Sequence, residues 1–180
     1  MARVEPPDYE NFTDAQKRIY HEIASGPRGR VRGPLAVWLV RPDLADNAQK
    51  LGQYARYDTI LPPRLSELAI LLTARIWTSE FEWWAHKKIA ERAGISEAII
   101  ESIRMGKRPV YRAMDEKIVH DFSVSLHHRR KVDDETYGRA IEVLGQKGVV
   151  DLVGILGYYT LVSMTINVFD VAIPQDEKAE

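Results

Sequence analysis

The chain contains no cysteine. Disulfides, thiolate nucleophiles, zinc–thiolate centres and iron–sulfur clusters are therefore excluded by inventory. It also lacks a surplus of charge of either sign: 25 Lys and Arg face 26 Asp and Glu, a formal net charge of −1. That balance leaves no basic footprint for nucleic acid or for an anionic membrane surface. The first residues, MARVEPPDYENFTDAQ, contain no apolar h-region of a secretion signal. The longest apolar runs are interrupted by Glu, Arg, Gly or Asp, so no segment is expected to cross a membrane. A cytoplasmic location is the default expectation. Alternating hydrophobicity between hairpin turns is missing as well, which argues against a sheet.

What is present is the periodicity of helices. With 180 residues, 45% hydrophobic and 28% charged, the chain has the composition of one soluble domain with a sizeable core. Residues 1–12 read as an extended arm, 13–172 as a single helical domain and 173–180 as a polar tail. Thr13 to Gln16 forms a capping box at the start of a helix reaching about Ala24. Ser25-Gly26-Pro27 stops it. The loop GPRGRVRG follows and reads first as a solvated connector; the sharper alternative is that Arg28, Arg30 or Arg32 meets an anionic substrate. Further helices are expected over 34–40, 43–57, 63–77, 80–93, 96–105, 113–128, 133–144 and 148–169. Pro63 suits a first turn, and glycines at 94 and 145 suit helix ends. The expected fold is all-α, with about eight helices.

Chemistry concentrates between Glu67 and His86. Glu67 shares a helical face with Ile70, Leu71 and Ala74, so it points inward. Glu82 and His86 are four residues apart and share a face with Ile89, Ala90 and Ala93. Acids and a histidine set among Leu, Ile, Phe and Trp are costly to bury unless they pair or work. The bland alternative is that Glu82 and His86 form a solvated i, i+4 pair on the helix surface; Glu80 is expected to be solvated. Glu67 and His86 lie at different distances from the turn at Thr78-Ser79, so a helix tilt or a partner subunit is expected to bring them together.

The pattern E-L-A-I-L-L, a turn, E-x-E-x-x-x-H and then A-x-x-A-G-I-S-E-x-I-I-E-S-I resembles the carboxymuconolactone decarboxylase family, which also contains the alkylhydroperoxidase D proteins. The likeness covers residues 60–108, and D-L-V-x-x-L-G-Y-Y in the last helix is similar to longer members. It implies an alkylhydroperoxidase D-like all-α bundle and a homo-oligomer: a dimer, trimer or hexamer. In the peroxidase branch a Glu precedes CxxC and a His; those cysteine positions fall here on Ser79 and Glu82, so a dithiol relay is not carried over. Glu67, Glu80, Glu82 and His86 match the decarboxylase pattern, with Phe81 in place of its intervening histidine.

The resemblance implies a cofactor-free lyase or isomerase acting on a small carboxylated lactone or enol acid. His86 is expected to be the general acid or base, Glu82 to orient its ring and Glu67 to hold or relay the proton. Arg32 or Arg56 is expected to bind the substrate carboxylate. Tyr54, Tyr57, Ser79 and Trp83 are candidate pocket residues, the aromatics competing with plain core or interface roles. No cofactor and no metal are expected, since Glu-x-x-x-His is not the Glu-x-x-His of di-iron helices. The alternative function is an inactive oligomeric scaffold. Four tryptophans and eight tyrosines, with Trp77, Trp83 and Trp84 close together, favour an oligomer on apolar-surface grounds.

Overall fold

The most apolar helix sits at the centre. Helix α4 (Pro63–Ile76) starts at a proline that needs no amide partner, and Leu65 to Ala74 are buried without interruption. A stripe that broad lets a helix be covered on several sides. Three helices cover it: α5 (Glu80–Arg92), α7 (Met114–Arg129) and α8 (Asp134–Phe169). The remaining elements are α1 (Asp14–Ser25), α2 (Pro34–Trp38), α3 (Pro42–Gln53) and α6 (Glu97–Arg104). The computed structural model describes residues 3–4 and 7–174. Among them are eight α-helices and no strand, which is the expected all-α class. Residues 1, 2, 5, 6 and 175–180 of the expected arm and tail lie outside the described residues.

Local chemistry sets the helix ends. The Thr13–Gln16 capping box forms in both directions: the Gln16 amide donates to Thr13 Oγ1 and the Thr13 amide to Gln16 Oε1. The arm is not wholly extended; Tyr9–Asn11 makes a 3-10 turn, and the Tyr9 ring packs on Phe12 and Tyr20. The two closing helices expected around Gly145 meet there: Gly145 adopts φ 71° and ψ 168°, outside the helical region, so α8 is two helical segments joined at a kink. Helix α8 has an apolar window long enough to cross a membrane by length and composition. Yet 61% of that window is buried inside the protein, which makes it a core helix.

Helix α3 does not end cleanly. Its last turn widens into a π-helical segment over Tyr54–Asp58. Such widened turns need outside support. Asp151 on α8 supplies it, accepting from the Tyr54 hydroxyl at 2.6 Å and from the Ile60 amide at 2.8 Å. This clamp fixes Arg56, which lies within the π segment.

Two glycines hold the arginine loop close. Gly33, at φ 58°, caps α2 in a backbone region that side chains rarely adopt. A Cβ there would meet the Phe81 ring at 2.6 Å, so the loop backbone rests directly on α5. Gly52 on α3 leaves room for the Tyr158 hydroxyl and the Arg28 guanidinium, both of which a Cβ would strike. Helix interiors normally disfavour glycine by about 1 kcal/mol relative to alanine; here the missing side chain makes room for the two groups.

Candidate functional site

The turn between α4 and α5 is three residues, Trp77-Thr78-Ser79, with Thr78 in the left-handed region at φ 52°. So short a turn forces the two helices antiparallel. At about 1.5 Å per residue, Glu67 and His86 differ by roughly 5 Å in distance from it. Side-chain length spans that offset within one chain. Glu67 Oε2 lies 2.7 Å from His86 Nδ1, and Glu82 Oε1 lies 3.0 Å from His86 Nε2. All three residues are 4% exposed. The imidazole is thus held at both nitrogens between two buried carboxylates, and the Tyr159 ring meets it edge-on at 5.2 Å.

Burial alone disfavours a charged ring. The charges of Glu67 and Glu82, and the hydrogen bonds they accept, outweigh it and push His86 up to about 9. The other buried histidines behave oppositely. His127, which shares only a neutral hydrogen bond with Thr73, is pushed down to about 4 by burial and by Arg130 and His128. Burial also lowers His120. His86 is therefore an imidazolium at neutral pH. The folded state binds this proton more tightly than the unfolded chain, whose histidine has the ordinary value of 6.5. The resulting stabilisation is complete below pH 6.5 and is lost as pH rises through about 9. Urea unfolding across that window is expected to show stability falling by a few kcal/mol. The slope should flatten in Glu67→Gln, which removes one of the two charges.

Glu82 and His86 open onto a pocket of about 60 Å³. Its rim carries Arg28, Arg30, Arg32 and Arg56, and its walls include Leu35, Phe81, Tyr158, Tyr159 and Val162. Glu67 lies behind His86 and is not among the lining residues. His86 and Glu82 both line the pocket, with Glu67 behind them. Of the expected substrate residues, Arg32 and Arg56 line it; Arg32 stacks over Trp84 at 5.1 Å and Arg56 over Tyr57 at 5.2 Å. Tyr54, Tyr57, Ser79 and Trp83 do not line it. Tyr54 serves Asp151. Tyr57 is largely exposed, and Trp83 is buried beneath Arg104. Ser79 caps α5 through its backbone, with its hydroxyl buried and unbonded. Both ring nitrogens of His86 are engaged by carboxylates, an arrangement that moves or holds a proton. Among the described residues no group of three His, Asp or Glu side chains is arranged around a metal position.

No family model matches the sequence, and no curated protein matches it. Solved structures do. A peroxidase-related protein from Ralstonia eutropha JMP134, described as an alkylhydroperoxidase AhpD core, aligns with TM-score 0.78 at 13% identity, over 97% of this chain and 93% of its own. A peroxidase-related protein from Silicibacter sp. TM1040 aligns with TM-score 0.79 at 10% identity, over 97% and 93%. The debrominase Bmp8, in complex with 2,3,4-tribromopyrrole, aligns with TM-score 0.76 at 11% identity, over 97% and 95%. The chain has the AhpD core fold. At these identities the likeness is one of fold, and the chemistry rests on this chain's own residues.

Within the AhpD core fold, the arginine loop is where reading from sequence falls short. Arg28, Arg30 and Arg32 are half-buried on the pocket rather than solvated in a connector. Their clustering in one glycine- and arginine-rich loop is the sequence signal for them. In sequence, Tyr158 and Tyr159 belong to the D-L-V-x-x-L-G-Y-Y pattern and carry no role. Their place on the pocket follows from α8 running beside α5, a contact no local pattern announces.

Proposed function

We propose that the protein is a cofactor-free acid–base enzyme, a lyase or isomerase acting in the cytoplasm on a small carboxylated lactone or enol acid. The observation that carries this reading is the buried Glu67–His86–Glu82 chain opening onto an arginine-rimmed pocket. Glu82 is the member that faces the ligand and exchanges a proton with it. His86 holds a proton next to Glu82 and tunes its basicity, and Glu67 keeps the ring charged and oriented. This order differs from the expectation that His86 itself meets the substrate, because neither ring nitrogen points to the pocket unpaired. The arginines attract and orient a carboxylate. In a decarboxylation, the C–C bond to the leaving CO2 breaks, its electron pair enters the enolate of the lactone, and the proton held by His86 passes through the Glu82 carboxylate to the carbon that keeps the pair, leaving His86 neutral until water reprotonates it. Thiol-based peroxide reduction is closed to a chain without cysteine. An inactive scaffold gives no reason to bury two acids around a charged imidazole, which is costly unless used. The test is CO2 release or loss of absorbance across a panel of muconolactones and related carboxylated lactones. Turnover on at least one is expected, and none on any would contradict the reading.

We further propose self-association. The tryptophans behind that expectation are accommodated within one chain: Trp38 and Trp83 are buried, and Trp77 and Trp84 half-buried. An aliphatic stripe on α8 carries the proposal instead. Val150, Val153, Leu161, Met164 and Val168 are exposed along one face, in the three–four spacing of a helix seam. Light scattering is expected to give a multiple of the 20.6 kDa chain mass. Leu161→Glu with Met164→Glu should reduce it to the monomer.

A further inference from the structure

Tyr159 is 2% exposed, and its hydroxyl has no hydrogen-bond partner among the described residues. Hydroxyls that deeply buried almost always have one, because an unmade bond costs the full desolvation of the group. The residue nonetheless lines the pocket beside Glu82 and His86. Its ring is fixed from two sides, edge-on to His86 at 5.2 Å and edge-on to Tyr158 at 5.1 Å, so the hydroxyl cannot swing away to find an acceptor. A second donor on the same pocket is in the same condition. Arg28 Nε is buried and unbonded, while its Nη2 donates to the Tyr158 hydroxyl at 3.4 Å. Gly52 preserves this pairing by leaving room for both groups.

We propose that the Tyr159 hydroxyl and Arg28 Nε form a two-donor subsite for an anionic oxygen of the ligand, the enolate oxygen that gains charge as the C–C bond breaks and loses it when the proton arrives. The proposal rests on the acid–base reading of the same site and adds the ligand group it takes: a planar oxyanion. Burial, with the nearby charges of Glu82 and Glu67, keeps the phenol protonated far above neutrality, so it acts as a donor throughout. Preorganised donors of this kind strengthen as charge develops on the oxygen they face.

The probe is oxalate, a small planar dianion with enolate-like oxygens, measured by calorimetry on the full chain. The wild type is expected to bind it. Tyr159→Phe keeps the ring against His86 and deletes only the hydroxyl, so it is expected to bind oxalate about tenfold to a hundredfold more weakly. Its melting temperature should not fall, since the hydroxyl bonds nothing in the ligand-free fold. Glu82→Gln should retain or tighten oxalate binding, because it removes a negative charge without touching either donor. Absence of oxalate binding to the wild type, unchanged affinity in Tyr159→Phe, or a lowered melting temperature in that variant would each overturn the subsite. The subsite and the acid–base reading fail separately. Weakened oxalate binding in Tyr159→Phe with full turnover in Glu82→Gln retains the subsite and removes the base; the reverse pattern retains the base and removes the subsite.

Discussion

Glu82→Gln is expected to lower turnover by about 10²–10⁴-fold while leaving the fold intact. The amide has nearly the volume of the acid, and its oxygen can still accept from His86 Nε2, now 3.0 Å from Glu82 Oε1. What it cannot do is take up a proton from the ligand or return one. Glu67→Gln should act differently. Glu67 is screened from the pocket by His86 and reaches it only through the 2.7 Å contact with Nδ1. Its loss should lower the charge on the ring, shifting the pH profile of turnover to lower pH and reducing the rate less. Full turnover in Glu82→Gln would remove the base from the mechanism. Comparable losses in the two variants, with no change in either pH profile, would mean that the carboxylates serve only as scaffolding.

His86→Ala is expected to be the most destabilising single change in the site. Removing the imidazolium leaves two buried carboxylates, each 4% exposed, facing one another across the gap without a counter-charge. Breaking a buried ion pair in this way costs about 3–5 kcal/mol, to which the empty imidazole volume adds. Urea unfolding at neutral pH should show this loss. It should shrink as pH is lowered, because protonation of either acid relieves the repulsion. The double variant Glu67→Gln with His86→Ala should be more stable than His86→Ala alone, a sign of coupling that two independent sites would not give. A single variant within about 0.5 kcal/mol of the wild type, the range of ordinary surface changes, would mean the three groups are not a charged buried network.

Much of this was legible in the amino-acid sequence, for identifiable reasons. Helix ends rest on local rules, so Thr13 with Gln16, Pro63 and Gly94 mark them directly. The pairing of Glu82 with His86 is also local, since i and i+4 share a face. The contact from Glu67 is tertiary. It depends on how antiparallel α4 and α5 are offset, and side-chain reach closed a gap that the spacing left open. The pocket rim was harder still. Arg28 and Arg30 sit in a glycine-rich loop whose composition reads as solvated, and the close approaches of Gly33 to Phe81 and of Gly52 to Tyr158 and Arg28 are tertiary. Tyr54, Tyr57 and Trp83 are pocket candidates by proximity in sequence. Helical rotation carries them to other faces, where Asp151, Arg56 and Arg104 meet them.

The charge state of His86 is the most direct test of the account. Nitrogen NMR of protein labelled at its histidines, with His86 assigned by comparison with His86→Gln, reports the protonation of each ring nitrogen. Protons on both nitrogens at neutral pH, with a titration midpoint near 9, are the expected result. A neutral ring at neutral pH, titrating near the ordinary value of 6.5, would contradict it.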